Sequence, residues 1–396
     1  RPGRRRPLGA TVALAGTPST LRGGSRHHGG MTSPPVLSDR ALNRATLERQ
    51  WLLARRPAGS VTLEGAVEHL VGLQAQEPLD PYLALWSRLD AFDPNALGAL
   101  LEERAVVRIV VMRGTIHLCT AADAGAIRPV AQPVMDAEAL RHPDARHVVD
   151  EPLDDALAQG KAWMDESPRT LAELLRLFAD ADPDRHAAGL AYVCRTHLPL
   201  VQVPPRGVWG KKGTVRLAHL DTWVGHPPPT TTLDDLVLRY LAAFGPATPG
   251  DAAAWCRLTG MRAVFERLRP HLRVLHDERG RELFDVPDGP LPDPDVPAPV
   301  RFLPTYDNAL LSHQDRSRFF TAGETFAVGV PESRVKGTVL HDGKVAGTWR
   351  WEDDDLVATV VPRLGREARD EIADEGARVA ALFERPGGVR FETAPA

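Results

Sequence analysis

Cysteine is scarce in this chain: Cys119, Cys194 and Cys256 lie far apart, and no C-x-x-C pair occurs. A disulfide framework and a thiolate zinc or iron–sulfur site are thereby excluded, and the count fits a reducing cytoplasm. No apolar run approaches the roughly 18–20 residues of a membrane span, so no membrane partner is expected. A Walker loop, a Rossmann glycine fingerprint opening a helix, H-E-x-x-H and G-x-S-x-G are all missing. No cofactor is expected, and His27-His28 and the pair His142 and His147 lack the nearby partners a metal needs. Only five of the 48 basic residues are lysine. The net charge of −4 leaves no generic basic coat, so any affinity for nucleic acid must come from a local patch.

What is present is an ordinary globular composition: 396 residues, 43% hydrophobic and 25% charged, enough for two to four modules. Residues 1–36 stand apart. They are rich in Arg, Gly, Ser and Pro, and they read as a disordered or mis-started extension, with a basic DNA-binding arm or a transit-like leader as alternatives. The remainder reads as α+β. Three helices followed by a two-stranded hairpin, the pattern of a winged helix, recur in residues 37–150, 151–228 and 229–288. A proline-rich linker over 289–300 leads to a β-rich domain over 301–396. There strands over 335–340 and 345–351 flank Asp342-Gly343, a further strand covers 356–361, and a helix over 365–383 covers a small barrel or curled sheet.

The most informative stretch is Gln74-Ala75-Gln76. Spacing predicts a helix over 62–77, with Gln74 continuing the apolar stripe of Val67, Leu70 and Val71. A buried amide needs a partner, and a water or a ligand is a candidate beside nearby backbone. Residues two apart on a helix point to opposite sides, so both glutamines converge only if the helix ends there. Pro78 disfavours helical geometry at Glu77 and supports such an end. Glu77 and Asp80 are acids close by, either of which could assist a water.

Three further clusters carry hydrogen-bonding chemistry. Strand alternation puts Arg113, Thr115 and His117 on one face, either a solvated wing or the lining of a groove. Thr305-Tyr306-Asp307-Asn308 with His313 to Arg318 is densely polar, and Arg316 and Arg318 suit phosphate or base-edge contacts. The glycine-rich turn with Arg206, Lys211 and Lys212 suits a phosphate backbone, or is simply a solvated basic loop.

Leu42-Asn43-Arg44-Ala45-Thr46-Leu47, Leu70 to Gln76 with Pro81-Tyr82, Arg113 to Leu118, and Leu303-Pro304-Thr305-Tyr306-Asp307 with Leu311-Ser312-His313 and Asp315 to Arg318 resemble, in order, the AlkZ/YcaQ winged-helix DNA glycosylases. The resemblance implies tandem winged helices in a C-shaped channel that acts on N7-alkylated purines and unhooks interstrand crosslinks. It implies a catalytic Gln-x-Gln, here Gln74 and Gln76, and contacts to DNA or substrate from Arg113, Thr115, His117, Tyr306, Asp307, His313, Arg316, Arg318, Arg206, Lys211 and Lys212. The expected partner is double-stranded DNA carrying alkylated purines, met in the bacterial cytoplasm at the nucleoid. Glutamine titrates nowhere but can hold a water. That suffices when the leaving base is already cationic, and oriented amide oxygens can stabilise an oxocarbenium-like sugar. With no lysine near these motifs, a monofunctional glycosylase is expected. The rival reading is a winged-helix transcription regulator without catalysis. No heptad run offers a dimer seam, so a monomer without an obligate protein partner is expected.

Overall fold

The computed structural model describes residues 35–225, 229–321 and 336–394. Nearly all of the expected N-terminal extension lies outside the described residues. Three sheets and fourteen α-helices are present among them. Pro35 to Ala396 form a single compact unit.

The first sheet runs Leu73–Gln74, Ile116–Thr120, Val106–Val110, Leu200–Gln202, Leu217–His219, antiparallel throughout. Strands expected in two successive winged-helix units therefore share one sheet. The second sheet pairs Arg273–Asp277 with Glu282–Asp285, the hairpin expected after the third helical triplet, and adds Val36–Leu37 in parallel. Its helices are Leu233–Phe244, Pro249–Cys256 and Met261–Leu268. Capping boxes open the first two, Thr232 with Asp235 and Thr248 with Asp251. Tyr240, Phe244, Trp255 and Phe265 pack in their core, which continues under Val107, Ile109 and Val111 of the first sheet.

The third sheet is ordered Val389–Thr393, Asp355–Val360, Lys344–Glu352, Gly337–His341, Arg301–Leu303. Arg366–Leu382 supplies the covering helix. The two outer strands do not pair with each other among the described residues, so the expected small barrel is an open sheet. The first residue of the strand expected over 335–340 lies outside the described residues.

The helix expected over 62–77 is corrected. Leu63–His69 is helical, capped by Thr62, and Leu73–Gln74 is a strand. Val71 and Gly72 reverse the chain at φ of 53° and 81°. A Cβ on Gly72 would lie 2.9 Å from Cys119 Sγ, so the turn needs glycine for both its backbone and its closeness to the next strand. The stripe that looked continuous divides: Val67 and Leu70 belong to one core cluster and Val71 to another.

Buried ion pairs tie distant segments together. Arg49 meets Asp285 at 2.6 Å and Arg88 meets Asp307 at 2.7 Å, with every side chain at 1% exposure or less. No helix among the described residues is long and apolar enough to cross a membrane.

Candidate active site

The strand conformation changes what Gln74 and Gln76 can do together. Leu73 and Ala75 both face one core cluster. Alternation along the strand turns Gln74 to the opposite side, and Gln76 lies in the bend that follows. No fraying helix end is needed. Gln74 is 7% exposed, whereas Gln76 is exposed.

Gln74 is the register partner of His117 on the neighbouring strand. Its Oε1 accepts from Arg113 Nη2 at 2.5 Å. The same Nη2 donates to Asn308 Oδ1 at 2.8 Å, and Arg113 Nη1 donates to the Trp255 carbonyl at 2.9 Å. Asn308 in turn donates to the Gly72 carbonyl at 3.1 Å. Arg113 thus anchors the Gln74 amide and is itself fixed from three directions. The expectation that Arg113, Thr115 and His117 form one strand face fails at Arg113, which lies in a tight turn at φ 59°. His117 is fully buried rather than part of a polar row. Its Nδ1 lies 3.0 Å from the Thr115 carbonyl, which can only accept. The ring proton is therefore on Nδ1, and the Nε2 lone pair faces Arg113 at 3.5 Å. Burial, reinforced by Arg113, pushes the His117 pKa down to about 3, so the imidazole stays neutral. Burial likewise lowers Arg113 to about 10. Thr115 donates to the Met112 carbonyl at 3.2 Å. Arg113 and Thr115 also edge a cavity of about 870 Å³ against residues 133–141 and 253–259.

Beyond Gln76 the chain turns past Glu77, Pro78 and Leu79 to meet the basic glycine loop. Together with Arg206, Lys211 and Lys212 these residues line a cavity of about 580 Å³. Lys211 pairs with Glu102, and Arg206 donates to the Gly213 carbonyl at 3.5 Å, while Lys212 is exposed. On the same turn, Asp80 has a buried Oδ2 with no hydrogen-bond partner. Burial first, then the charges of Glu77 and Asp307, push its carboxyl up to about 8, against hydrogen bonding by Thr305. Tyr306 is half-buried, and its hydroxyl pKa is raised by burial and by Glu77 and Asp80.

Besides His117, three residues expected to touch DNA are interior instead. Asp307 caps the helix Asn308–Leu311 and holds Arg88 through both oxygens. His313 bonds the Phe244 carbonyl at 3.1 Å, and Arg318 donates to Thr46 Oγ1 and the Pro246 carbonyl. All three are at most 4% exposed. The physical reason is that their polar atoms satisfy backbone and charges that folding has buried, so they brace the fold. Arg316 is half-buried. Asn308 was legible only as part of a polar run, and Arg108, a lone cation in the apolar strand Val106–Val110, carried a signal that was overlooked. No group of three or more metal-binding side chains occurs among the described residues.

The family described as DNA glycosylase AlkZ-like matches residues 67–382. The chain is 26% identical over 360 residues to an interstrand DNA cross-link repair glycosylase of Streptomyces sahachiroi, covering 84% of this chain and 93% of that protein. The solved structure of the Streptomyces sahachiroi DNA glycosylase AlkZ superposes with a TM-score of 0.67 at 20% identity, over 90% of this chain and 100% of that one.

Proposed function

Because the chain belongs to the AlkZ-like DNA glycosylase family, we propose that it hydrolyses the N-glycosidic bond of cationic N7-alkylpurines with a water held between Gln74 and Gln76. The observation that carries this reading is Gln74, buried on an edge strand with its amide fixed by Arg113, and Gln76, exposed two residues on. Gln74 retains the second lone pair of Oε1 and its NH2, while Gln76 is free to swing a carbonyl onto the water. Neither amide can take up the water's proton, which passes to solvent as the new sugar C–O bond forms. The chemistry therefore depends on a base that leaves without protonation, as an N7-alkylated purine does. Amide oxygens near the sugar stabilise its developing positive charge.

Neutral His117 adds no second cation to that of Arg113 behind Gln74. Duplex DNA is engaged through the exposed basic loop, where Lys212 and the backbone N–H groups of Gly210 and Gly213 meet phosphates. The protein acts as a monomer at the nucleoid. The relative's name supports crosslink unhooking as a further activity, and an open groove suits a base that cannot leave its duplex. The transcription-regulator reading draws no support from the family match.

The test is incubation with a duplex carrying one N7-methylguanine, followed by alkali. Strand breaks with wild type, and their loss in Gln74→Ala and Gln76→Ala, are expected. Absence of abasic sites with wild type, or variants that match it, overturns the reading.

A further inference from the structure

Arg108 is a buried cation without a counter-ion among the described residues. It is 1% exposed, and its Nε and Nη1 have no hydrogen-bond partner. The bond it does make runs from Nη2 to the carbonyl of Ala75, at 2.8 Å. Burying a guanidinium this way is unfavourable, and an apolar side chain would fill the site without that cost. Packing alone does not account for an arginine here.

Its position does. Leu73–Gln74 is an edge strand whose ladder stops at Gln74. The Ala75 N–H still reaches the Ile116 carbonyl at 2.8 Å, but its own carbonyl has no strand to meet. Arg108 supplies the missing donor. Both polar groups of the residue between the two glutamines are thereby fixed, and order extends one residue beyond the sheet, to the point where Gln76 departs. The far side of Arg108 is closed by Gly207 of the basic loop, at φ 89°, where a Cβ would lie 2.8 Å from Arg108 Cδ. That loop is held in turn by Tyr82, which donates to the Gly207 carbonyl at 2.8 Å and accepts from Trp209 N–H at 3.0 Å.

We propose that Arg108 is a positioning residue for base excision: by clamping the Ala75 carbonyl under the brace of Gly207, it sets the direction of Gln76. This rests on the two-glutamine reading above. Burial, and the nearby charge of Arg206, lower the Arg108 pKa to about 10, which still leaves it a cation donor at neutral pH.

The test is single-turnover excision of N7-methylguanine by wild type, Arg108→Ala, Gln76→Ala and the double variant, with affinity for unmodified duplex measured alongside. Arg108→Ala is expected to slow excision by about 10- to 100-fold, with duplex affinity held within about 3-fold. Added guanidinium ion should restore part of that loss but none of the loss in Gln76→Ala. The double variant should be no slower than Gln76→Ala alone, because the two residues act as one unit. A folded Arg108→Ala protein at wild-type rate overturns the proposal. So does a loss that multiplies with that of Gln76→Ala and ignores guanidinium. If Arg108→Ala does not fold, Gly207→Ala decides: slowed excision with duplex affinity kept supports the proposal, and a wild-type rate overturns it. Gln76→Ala at full rate would instead bring down the two-glutamine reading itself.

Discussion

Arg113 Nη2 holds Gln74 Oε1 and Asn308 Oδ1 at 2.5 and 2.8 Å, so one nitrogen links the candidate catalytic strand to the segment after the linker. The amide of Gln74 thereby has a fixed sense, with its oxygen toward the guanidinium. Removing that link should loosen the amide without unmaking the groove.

Arg113→Ala is expected to lower the excision rate about 100-fold while duplex affinity changes little. Arg113→Lys should not recover it, because one ammonium cannot span Gln74, Asn308 and the Trp255 carbonyl in the same plane. Single-turnover kinetics beside a binding isotherm separates the two effects, and a loss confined to affinity would contradict the assignment.

Acid should not switch the chemistry off through a histidine. The His117 pKa is pushed down to about 3, so the excision rate should change less than about 2-fold between pH 5.5 and 7.5. Stability is a separate matter. A depressed histidine pKa means that the unfolded chain binds the proton first. Stability is full above about 6.5 and is lost progressively as pH falls toward 3. A rate inflection near 6.5 in wild type would tell against a permanently neutral His117.

Asp80 runs the opposite way. Its folded pKa, near 8, is raised above the ordinary 3.8, so between these values the folded state holds a proton that the unfolded chain has lost. Stability should fall as pH rises through that window, by at most about 1.4 kcal/mol per pH unit. Asp80→Asn should flatten the slope and raise the melting temperature at pH 8. Urea unfolding of both proteins at pH 5, 6.5 and 8 checks this.

Gly72→Ala should destabilise by about 1–3 kcal/mol. The new methyl meets Cys119 Sγ at 2.9 Å and the Leu118 carbonyl at 3.2 Å, at a φ of 81°. Denaturant midpoints measure the loss. Because the turn delivers Leu73–Gln74 to its neighbour, excision should fall in step.

Asp307→Ala should cost about 3–5 kcal/mol by stranding Arg88 in the interior. Arg88→Met combined with Asp307→Leu should cost much less, because no charge is then left unpaired. If the paired replacement proves as damaging as the single one, the bond from Asp307 to the Ala309 N–H outweighs the ion pair.

The helices and hairpins that announce themselves locally were legible. The three helices and hairpin expected within 229–288 are present, and Asp342-Gly343 joins two strands. Leu73–Gln74 was not legible as a strand. The spacing of Val67, Leu70, Val71 and Gln74 fits a helix, and only pairing with Leu118 and His117, more than forty residues on, decides otherwise. Destinations of arginines were hidden for the same reason. Arg318 finds Thr46 across 272 residues and Arg88 finds Asp307 across 219, and nothing in composition distinguishes them from exposed Lys212. The co-location of Gln74 with Arg113 and His117 was nearer to hand, since Gln74 and His117 pair in one sheet and Arg113 lies in the turn between two of its strands.

That sheet also constrains how the chain can be born. Its five strands are drawn from residues 73 to 219, so a ribosome must release His219 before the last strand can dock. Until Leu200–Gln202 emerges, Val106–Val110 offers a bare edge to the crowded surroundings of the nascent polypeptide. Synthesis speed through residues 120–200 therefore governs how long that edge stays open to stray strands.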